Sequence, residues 1–427
     1  MTKVRDDGAS SGKPLAGASW LEGVALGKVF AALCAEGGTA RVVGGAVRNA
    51  LIGLPITDID LATPLRPEEV TRRAVRAGLA VHPTGIAHGT VTLVAGGHPF
   101  EVTTLRRDVE TDGRRAVIAF SEDWREDAAR RDFTFNALYA AADGTVFDFF
   151  GGLQDLEQRR VRFIGSAQER IREDYLRILR FFRFNAQYGT GPLDAEGLAA
   201  CAALKEGLAQ LSSERVGAET MKLLAAPQAA PIVAVMANSG ILEAILGAQI
   251  YPTRLERLAA IEAANGATLK GLTGDPICRL AALALDGPEN AAGLAKRLRL
   301  SNAAGEALAG AATGNDAYDP ATPERQARAL LYRIGLENFR SACIVAWAAS
   351  NASPNDGARL GRLQLPERWA PPALPVSGAG LIALGMPPGP RLGKVLADFE
   401  KWWIGEDFPS DPALHKAKLT ELCGSGY

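Results

Sequence analysis

Apolar positions alternate over short runs in the first third of the chain, and after about residue 168 they recur at helical spacing. Thr90-Val-Thr-Leu-Val-Ala and Pro99-Phe-Glu-Val-Thr-Thr have the period of half-buried strands, and Gly96-Gly97-His98 between them reads as a hairpin turn. Strands are predicted at 41–44, 58–62, 90–95 and 99–104, with another near 145–149; helices are predicted at 46–53, 67–78 and 126–140. Beyond 168 the chain is rich in alanine and leucine and is broken at Gly-Pro, Ala-Pro and Asp-Pro steps. Residues 351–378, rich in Pro, Gly, Ser and Asn, read as a linker or long loop. The pattern predicts an α+β protein, with a small head of mixed sheet and helices on a long all-α body.

Within the head, Gly44-Gly45 ends a buried run, Val42-Val43, and is followed after twelve residues by Asp58 and Asp60. Paired glycines let the backbone turn tightly beside a bulky anion, and the first amides of a helix at 46–53 would face a phosphate. Alternation along Asp58-Ile-Asp-Leu puts both carboxylates on one face of a strand, with Ile59 and Leu61 turned inward. Two carboxylates on one face repel, and magnesium, which favours oxygen ligands and substrate phosphates, is the natural relief. Either motif alone is commonplace, a solvated strand edge or a loop; the two in order on strand, helix and strand are specific. A dinucleotide site would require Gly-x-Gly-x-x-Gly, where this chain has Gly-Gly-Ala-Val-Arg. A third carboxylate would complete a site for paired metals. Glu101, in Phe100-Glu-Val, is the best placed, with Asp132 second.

Composition narrows the classes. A length of 427 residues predicts two to four domains, and 47% hydrophobic with 22% charged residues is ordinary for a soluble protein. There is no apolar run long enough for a membrane span, and the polar start, Met1 to Lys13, lacks an apolar signal core. Residues 1–20 are expected to fray. Five widely spaced cysteines without Cys-x-x-Cys fit reduced thiols in a cytoplasmic protein. A net charge of −1 argues against a generally basic coat but not a local one. Residues 159–183 carry eight arginines, a phosphate-binding cluster or a solvated basic helix face.

Two further stretches carry chemistry. In Arg130-Arg-Asp-Phe-Thr-Phe-Asn-Ala-Leu138, two arginines beside Asp132 are suited to gripping a ribose or triphosphate, and an acidic helix cap explains the same residues equally well. In Glu173-Asp174-Tyr-Leu-Arg177-Ile-Leu-Arg180-Phe-Phe-Arg183, Leu176, Leu179 and Phe182 form an apolar line while Asp174, Arg177 and Arg180 share another face. The commoner fate of such a pair is an intrahelical salt bridge. The alternative is a base reader, whose carboxylate accepts from the amine of cytosine or adenine while the arginine donates to the neighbouring ring nitrogen. Uracil and guanine would leave those groups unpaired.

Together these motifs resemble the class II tRNA nucleotidyltransferases, the CCA-adding enzymes, and their relatives the bacterial poly(A) polymerases. The resemblance is close over residues 41–225 and loose beyond. Gly44-Gly45-Ala-Val-Arg48 with Asp58-x-Asp60 looks like the first family motif, and Arg130-Arg131-Asp132 with Asn136 is similar to the ribose-reading motif. Asp148-Phe-Phe-Gly-Gly-Leu-Gln-Asp155-Leu looks like the spring between head and neck, and Glu173-Asp174-x-x-Arg177 resembles the amino-acid template for incoming CTP or ATP. Leu211-Ser-Ser-Glu-Arg215-Val, with Glu219 and Lys222, looks like the helix-stabilising element, and Asp108 to Trp124 resembles the flexible loop that helps the site switch from CTP to ATP. Where the first motif usually reads Val-Arg-Asp, Asn49 stands here, which puts in question how Arg48 is held.

The resemblance implies a polymerase-β-like nucleotidyltransferase head at 21–150, a base-recognising neck at 151–225, an RNA-binding helical body at 226–350 and a helical tail at 379–427. It implies Mg2+ at Asp58 and Asp60, and Glu101 stays the best-placed further catalytic carboxylate on the strand pattern. Gly44, Gly45 and Arg48 would take the triphosphate, Arg131, Asp132 and Asn136 the sugar, and Asp174, Arg177 and Arg180 the base. The activity implied is addition of CCA to tRNA from CTP and ATP, with the acceptor–TΨC arm as partner and with neither membrane nor protein partner. A poly(A) polymerase or an enzyme adding only CC or A is the runner-up, and a non-catalytic RNA-binding protein is the alternative from another class.

Overall fold

The computed structural model describes residues 9–10, 12–112, 115–313, 316–383 and 386–424. Of the segment expected to fray (1–20), residues 1–8 and 11 lie outside the described residues, as does the tip of the expected flexible loop (113–114); the rest is held in place, with Ala9–Ser10 paired to Phe147 and Asp148 and Leu15 buried. Contacts divide the chain into a unit Met1–Ile245 and a unit Leu246–Tyr427.

Among the described residues the first unit has ten short strands: β1 (Ala9–Ser10), β2 (Arg41–Val43), β3 (Asp60–Thr63), β4 (Ala80–Gly85), β5 (Thr90–Ala95), β6 (His98–Thr104), β7 (Arg106–Asp112), β8 (Arg115–Phe120), β9 (Leu138–Ala140) and β10 (Val146–Asp148). Eight form one mixed sheet in the order β1-β10-β9-β2-β3-β6-β5-β4. The central strands are buried on both faces: β2 and β9 have no exposed residue, whereas β5 alternates buried and half-buried positions. β3 runs parallel to β6, with Asp60 beside Glu101, and antiparallel to β2. β7 and β8 form a separate antiparallel hairpin where the flexible loop was expected.

Helices α1 (Val24–Cys34), α2 (Gly45–Leu51), α3 (Pro67–Arg76) and α4 (Trp124–Ala129) complete the head. The predicted helix 126–140 is thus a correction. It stops at Ala129, a single turn of 3-10 helix covers Thr134–Asn136, and Leu138–Ala140 becomes the strand between β2 and β10. Asp132 accepts the amide of Phe133, whose backbone is extended, so the helix cannot continue. The apolar run after it belongs to a strand covered on both sides, which periodicity alone does not separate from a buried helix.

Four helices follow: α5 (Gly152–Glu157), α6 (Ala167–Glu173), α7 (Leu176–Tyr188) and α8 (Ala195–Ala203), and then α9 (Ser213–Leu224). The expected apolar line of α7 is buried, with Leu176 at 8%, Leu179 at 2% and Phe182 at 0% exposure. An aromatic seam joins α7 to the turn before β9. Phe133 stands 4.8 Å from Phe163 and 5.3 Å from Phe184, and Phe163 stacks on Phe181 at 5.5 Å between ring centroids. Much of the arginine cluster is used internally: Arg160 and Arg162 bind the fully buried Asp155, and Arg183 binds Glu219 at 2.5 Å.

The second unit is helical throughout its regular elements, the longest being Glu324–Ala349, which kinks at Gly335 (φ 79°). Residues 351–378, expected as a linker or long loop, instead carry the helices Gly357–Leu363 and Leu365–Arg368. Asp356 caps the first through the amides of Ala358 and Arg359, and the buried Arg362 donates to Ala317 and Thr322 carbonyls. Its turn-rich composition supplies caps, not a free tether. No helix among the described residues is long and apolar enough to cross a membrane.

Asp155 gives the fold a testable acid limit. Burial alone would raise its pKa, but hydrogen bonds from Thr134, Arg162 and Arg160 outweigh it and lower the value. A depressed carboxylate stabilises the fold above its unfolded pKa, and that stability is lost as pH falls through the folded value. Asp155→Asn should therefore flatten the fall of the urea midpoint between about pH 5 and pH 2. Asp155→Ala should cost about 2–4 kcal/mol, the range being modest because both arginines are over a third exposed. An unchanged acid profile in Asp155→Asn would remove this carboxylate from the account.

Candidate active site

The carboxylate edge of the site comes from the sheet. In-register residues on neighbouring strands point to the same face, so the pairing of Asp60 with Glu101 sets their side chains together. Asp58 precedes β3, exposed, with the Thr57 hydroxyl donating to it, while Leu61 is fully buried and Ile59 half-buried. Burial is the main reason that Asp60 holds its proton more tightly than an ordinary carboxyl; Glu101 adds to this, Arg131 opposes it, and Asp58 adds a smaller push. A negatively crowded carboxylate at the solvent-exposed start of a strand fits a hard divalent cation. Among the described residues no three ligand-type side chains already form a metal cluster. The protein would therefore offer one or two oxygens and leave the rest of the shell to substrate phosphates.

Facing this edge is a cavity of about 690 Å³ whose lining includes Gly44, Gly45, Arg48, Asp58, Asp60, Arg131, Asp132, Asn136, Asp174, Arg177 and Arg180. The structure thus brings every predicted site residue except Glu101 to one cavity wall, and β6 places Glu101 next to Asp60. Gly44 takes φ 74° and ψ −121°, a conformation that favours glycine, and its amide is held by the Leu138 carbonyl. α2 behind it has only seven residues, so the amides of the turn count for more here than a helix dipole.

Arg48 answers the question raised by Asn49. The Asn49 amide oxygen accepts from both Nε (3.1 Å) and Nη2 (2.9 Å) of Arg48, and the Asn49 amide nitrogen donates to the Pro55 carbonyl. The Tyr188 hydroxyl lies 2.7 Å from Nη2, and the Asn136 side-chain oxygen lies 2.6 Å from Nη1. A polar chain continues from there. Asn136 donates to Asp132, and Asp132 accepts Nε (2.7 Å) and Nη2 (2.5 Å) of Arg180. Both oxygens of Asp132 are therefore engaged by protein, which removes its carboxylate from the set available to a cation. Burial alone would raise its pKa, but Arg180 and Asn136 lower it.

The residues expected to act as template are arranged differently from a shared helix face. Asp174 lies outside α7, in extended conformation after α6, with one oxygen on the Leu176 amide and the other 2.7 Å from Arg215 of α9. Arg177 donates to Glu173 (2.5 Å) and to the carbonyls of Arg170 and Arg130. Neither the intrahelical Asp174–Arg177 pair nor a free reader describes them; both line the cavity with their partners on other residues.

Three supporting residues, Tyr188, Tyr139 and Asp127, escaped sequence reasoning. Tyr188 holds Arg48 from the far end of α7. Arg131 is bound by Tyr139 and by Asp127, a buried carboxylate that also accepts from Arg130 and from the Tyr139 hydroxyl at 2.7 Å. Asn49 was noticed only as a departure. The spacing Asp127-x-x-Arg130-Arg131 was a usable signal, since i+3 and i+4 neighbours meet on a helix.

The raised pKa of Asp60 has a checkable sign. A carboxyl raised in the fold is disfavoured when ionised, so above that pKa it subtracts from stability. Without divalent cation at pH 7, Asp60→Asn should raise the melting midpoint by about 1–3 °C, and stabilisation by added Mg2+ should disappear. A midpoint equal to or below the wild type in chelator would contradict this electrostatic account.

With this geometry in hand, the similarity to known proteins is informative. The family model "Poly A polymerase head domain" matches residues 40–162, and "Probable RNA and SrmB- binding site of polymerase A" matches residues 192–249. The CCA-adding enzyme of Latilactobacillus sakei is 31% identical over 393 residues, covering 90% of this chain and 94% of that one. The mitochondrial CCA tRNA nucleotidyltransferase 1 of Danio rerio is 43% identical over 206 residues, and the human protein 46% over 190; the match spans about half of those relatives' lengths (48% and 43%). Among solved structures, the Bacillus stearothermophilus CCA-adding enzyme in complex with CTP aligns at TM-score 0.72 and 27% identity, covering 93% of this chain and 96% of that one. The Thermotoga maritima enzyme complexed with tRNA shares the fold at TM-score 0.65 and 20% identity, with 93% of each chain covered. An extended head match, a relative aligned over nine-tenths of the chain and a common fold agree: this chain belongs to the CCA-adding enzyme family of tRNA nucleotidyltransferases.

Proposed function

We propose that the chain adds or repairs the 3′-terminal CCA of tRNA, using CTP and ATP without a nucleic-acid template and releasing pyrophosphate. The observation that carries this reading is the junction, on one cavity wall, of a carboxylate edge (Asp58, Asp60 and the adjoining Glu101) with a guanidinium-rich floor that ends at Asp174 and Arg177. A relative named for CCA addition aligns over nearly the whole chain, and a structure of another holds CTP.

Asp58 and Asp60 would hold Mg2+, with Glu101 beside them. Bound there, Mg2+ would neutralise triphosphate charge and lower the pKa of the attacking 3′-hydroxyl. The chain's own residues do the rest. The Gly44-Gly45 turn lets the triphosphate approach the backbone, and Arg48 and Arg131 set positive charge around it. Asn136 and Asp132 orient Arg180, while Asp174 and Arg177 read the base with the carboxylate and guanidinium edges left by their protein partners. Each oxygen of Asp174 keeps a lone pair beyond its present bond, enough to accept an exocyclic amine.

The head (21–150), neck (151–225), body and tail are proposed as the working parts, the helices beyond holding tRNA by shape and backbone charge. All five cysteines are free thiols, which supports a reducing, cytoplasmic setting.

Purified protein with Mg2+ should extend tRNA transcripts lacking CCA by two C and one A and then stop. A long A tail, or only C or A, would reassign the product to a poly(A) polymerase or a partial enzyme; no incorporation from any primer would favour the non-catalytic RNA-binding reading. Asp60→Ala should lower incorporation at least about a thousandfold with tRNA binding retained, since the charge stabilisation lost is a transition-state term. Asp174→Ala should relax the CTP and ATP preference against UTP and GTP by about 10²–10⁴, and unchanged preference would sink the template assignment.

A further inference from the structure

Arg48 is buried, at 7% exposure, in the wall of the cavity, yet every group that touches its guanidinium is neutral. Four hydrogen bonds occupy it: two to the Asn49 amide oxygen, one to Asn136 and one to Tyr188. A guanidinium has five N–H groups, so little donor capacity remains for a direct fork on a phosphate. Its charge, in contrast, is bonded to no carboxylate and meets only the rings of Tyr188, 4.2 Å from the guanidinium carbon to the ring centroid, Phe184 and Phe135. The nearby carboxylate Asp132 is already bridged by Arg180 and bound by Asn136. Burial disfavours the Arg48 charge and Arg183 and Arg180 add to that pressure, whereas Tyr188 and Asp132 favour it. A desolvated cation without an acidic partner is costly unless a ligand neutralises it.

We infer that Asn49 is a positioning residue that holds Arg48 as a positive charge bonded to no carboxylate beneath the Gly44-Gly45 turn, so that a polyphosphate serves as its counter-ion. The amide does this in two ways. It orients the guanidinium through Nε and Nη2 without cancelling its charge, and its own nitrogen, bonded to the Pro55 carbonyl, fixes which end faces Arg48. A carboxylate at this position would pair with Arg48 bidentately and withdraw its field from the cavity. The inference rests on the reading of the cavity as a nucleoside triphosphate site.

The test is equilibrium binding of inorganic tripolyphosphate and of CTP to the full chain, by calorimetry in chelator at low and high salt. Asn49→Asp should weaken tripolyphosphate binding by roughly tenfold at low salt and flatten its salt dependence, because a screened charge has been cancelled. Asn49→Ala, which removes the acceptor without adding charge, should weaken binding but keep the wild-type salt slope. In the incorporation assay the Asn49→Asp defect should fall on KM for CTP more than on kcat. Should Asn49→Asp fail to fold, Tyr188→Glu brings a carboxylate to the same guanidinium from α7 and should flatten the slope likewise. Equal losses in Asn49→Asp and Asn49→Ala with unchanged slopes, or an Asn49→Asp variant indistinguishable from wild type, would overturn the inference. If the wild-type chain binds neither ligand, the nucleotide-site reading itself fails.

Discussion

Helix α7 is seated on the turn before β9 by two kinds of contact that reinforce each other. The aromatic rings Phe133, Phe163, Phe181 and Phe184 exclude water from the seam, and the Arg180–Asp132 ion pair crosses at its edge, where a low local dielectric strengthens it. Without that seat the carboxylate edge of the sheet and the arginines of α7 would belong to separate bodies. With it, Asp60 and Arg177 line one cavity although they lie more than a hundred residues apart in sequence.

The site is electrostatically unfinished by itself. Asp60 and Glu101 crowd negative charge on one side, while Arg48 holds a positive charge bonded to no carboxylate on the other. Like charges held together by the fold are a strain that a cation and a polyanion, arriving together, relieve in one step. This explains why so many of the remaining arginines are tied up. Arg130, Arg160, Arg162, Arg170, Arg177, Arg180 and Arg183 all have carboxylate partners, so much of the neck's positive charge is neutralised within the fold.

How much was legible in the chain depended on whether a partner was local. The alternation of Asp58-Ile-Asp-Leu announced a carboxylate face, and Glu101 could be chosen because its strand alternates too; the parallel register of β3 and β6 then supplied the neighbour relation. The paired glycines announced a turn with positive φ. Partners from distant segments were invisible. Nothing near Asp174 points to Arg215, and nothing near Arg48 points to Tyr188, because both are fixed by how α7 packs. The helix expected over 126–140 stops at Ala129, and beyond it Asp132 holds the extended Phe133 amide while serving Arg180. The stretch 351–378 looked unstructured because capping residues and linker residues are the same amino acids, and only burial of Arg362 distinguishes them.

Tyr188 joins two parts of the molecule that a sequence keeps well apart: its hydroxyl meets both Arg48 and Asn49 of α2 from the last residue of α7. For divergence within the family this is a constraint on mutational order. A lineage that replaces the phenol strands an N–H of a buried guanidinium unless residue 49 or 136 changes to receive it. A lineage that first places an acid at 49 makes the phenol dispensable. The three positions should therefore drift as a linked set, and the route by which a family member moves between an amide and an acid at residue 49 should be recorded in what it carries at the end of α7.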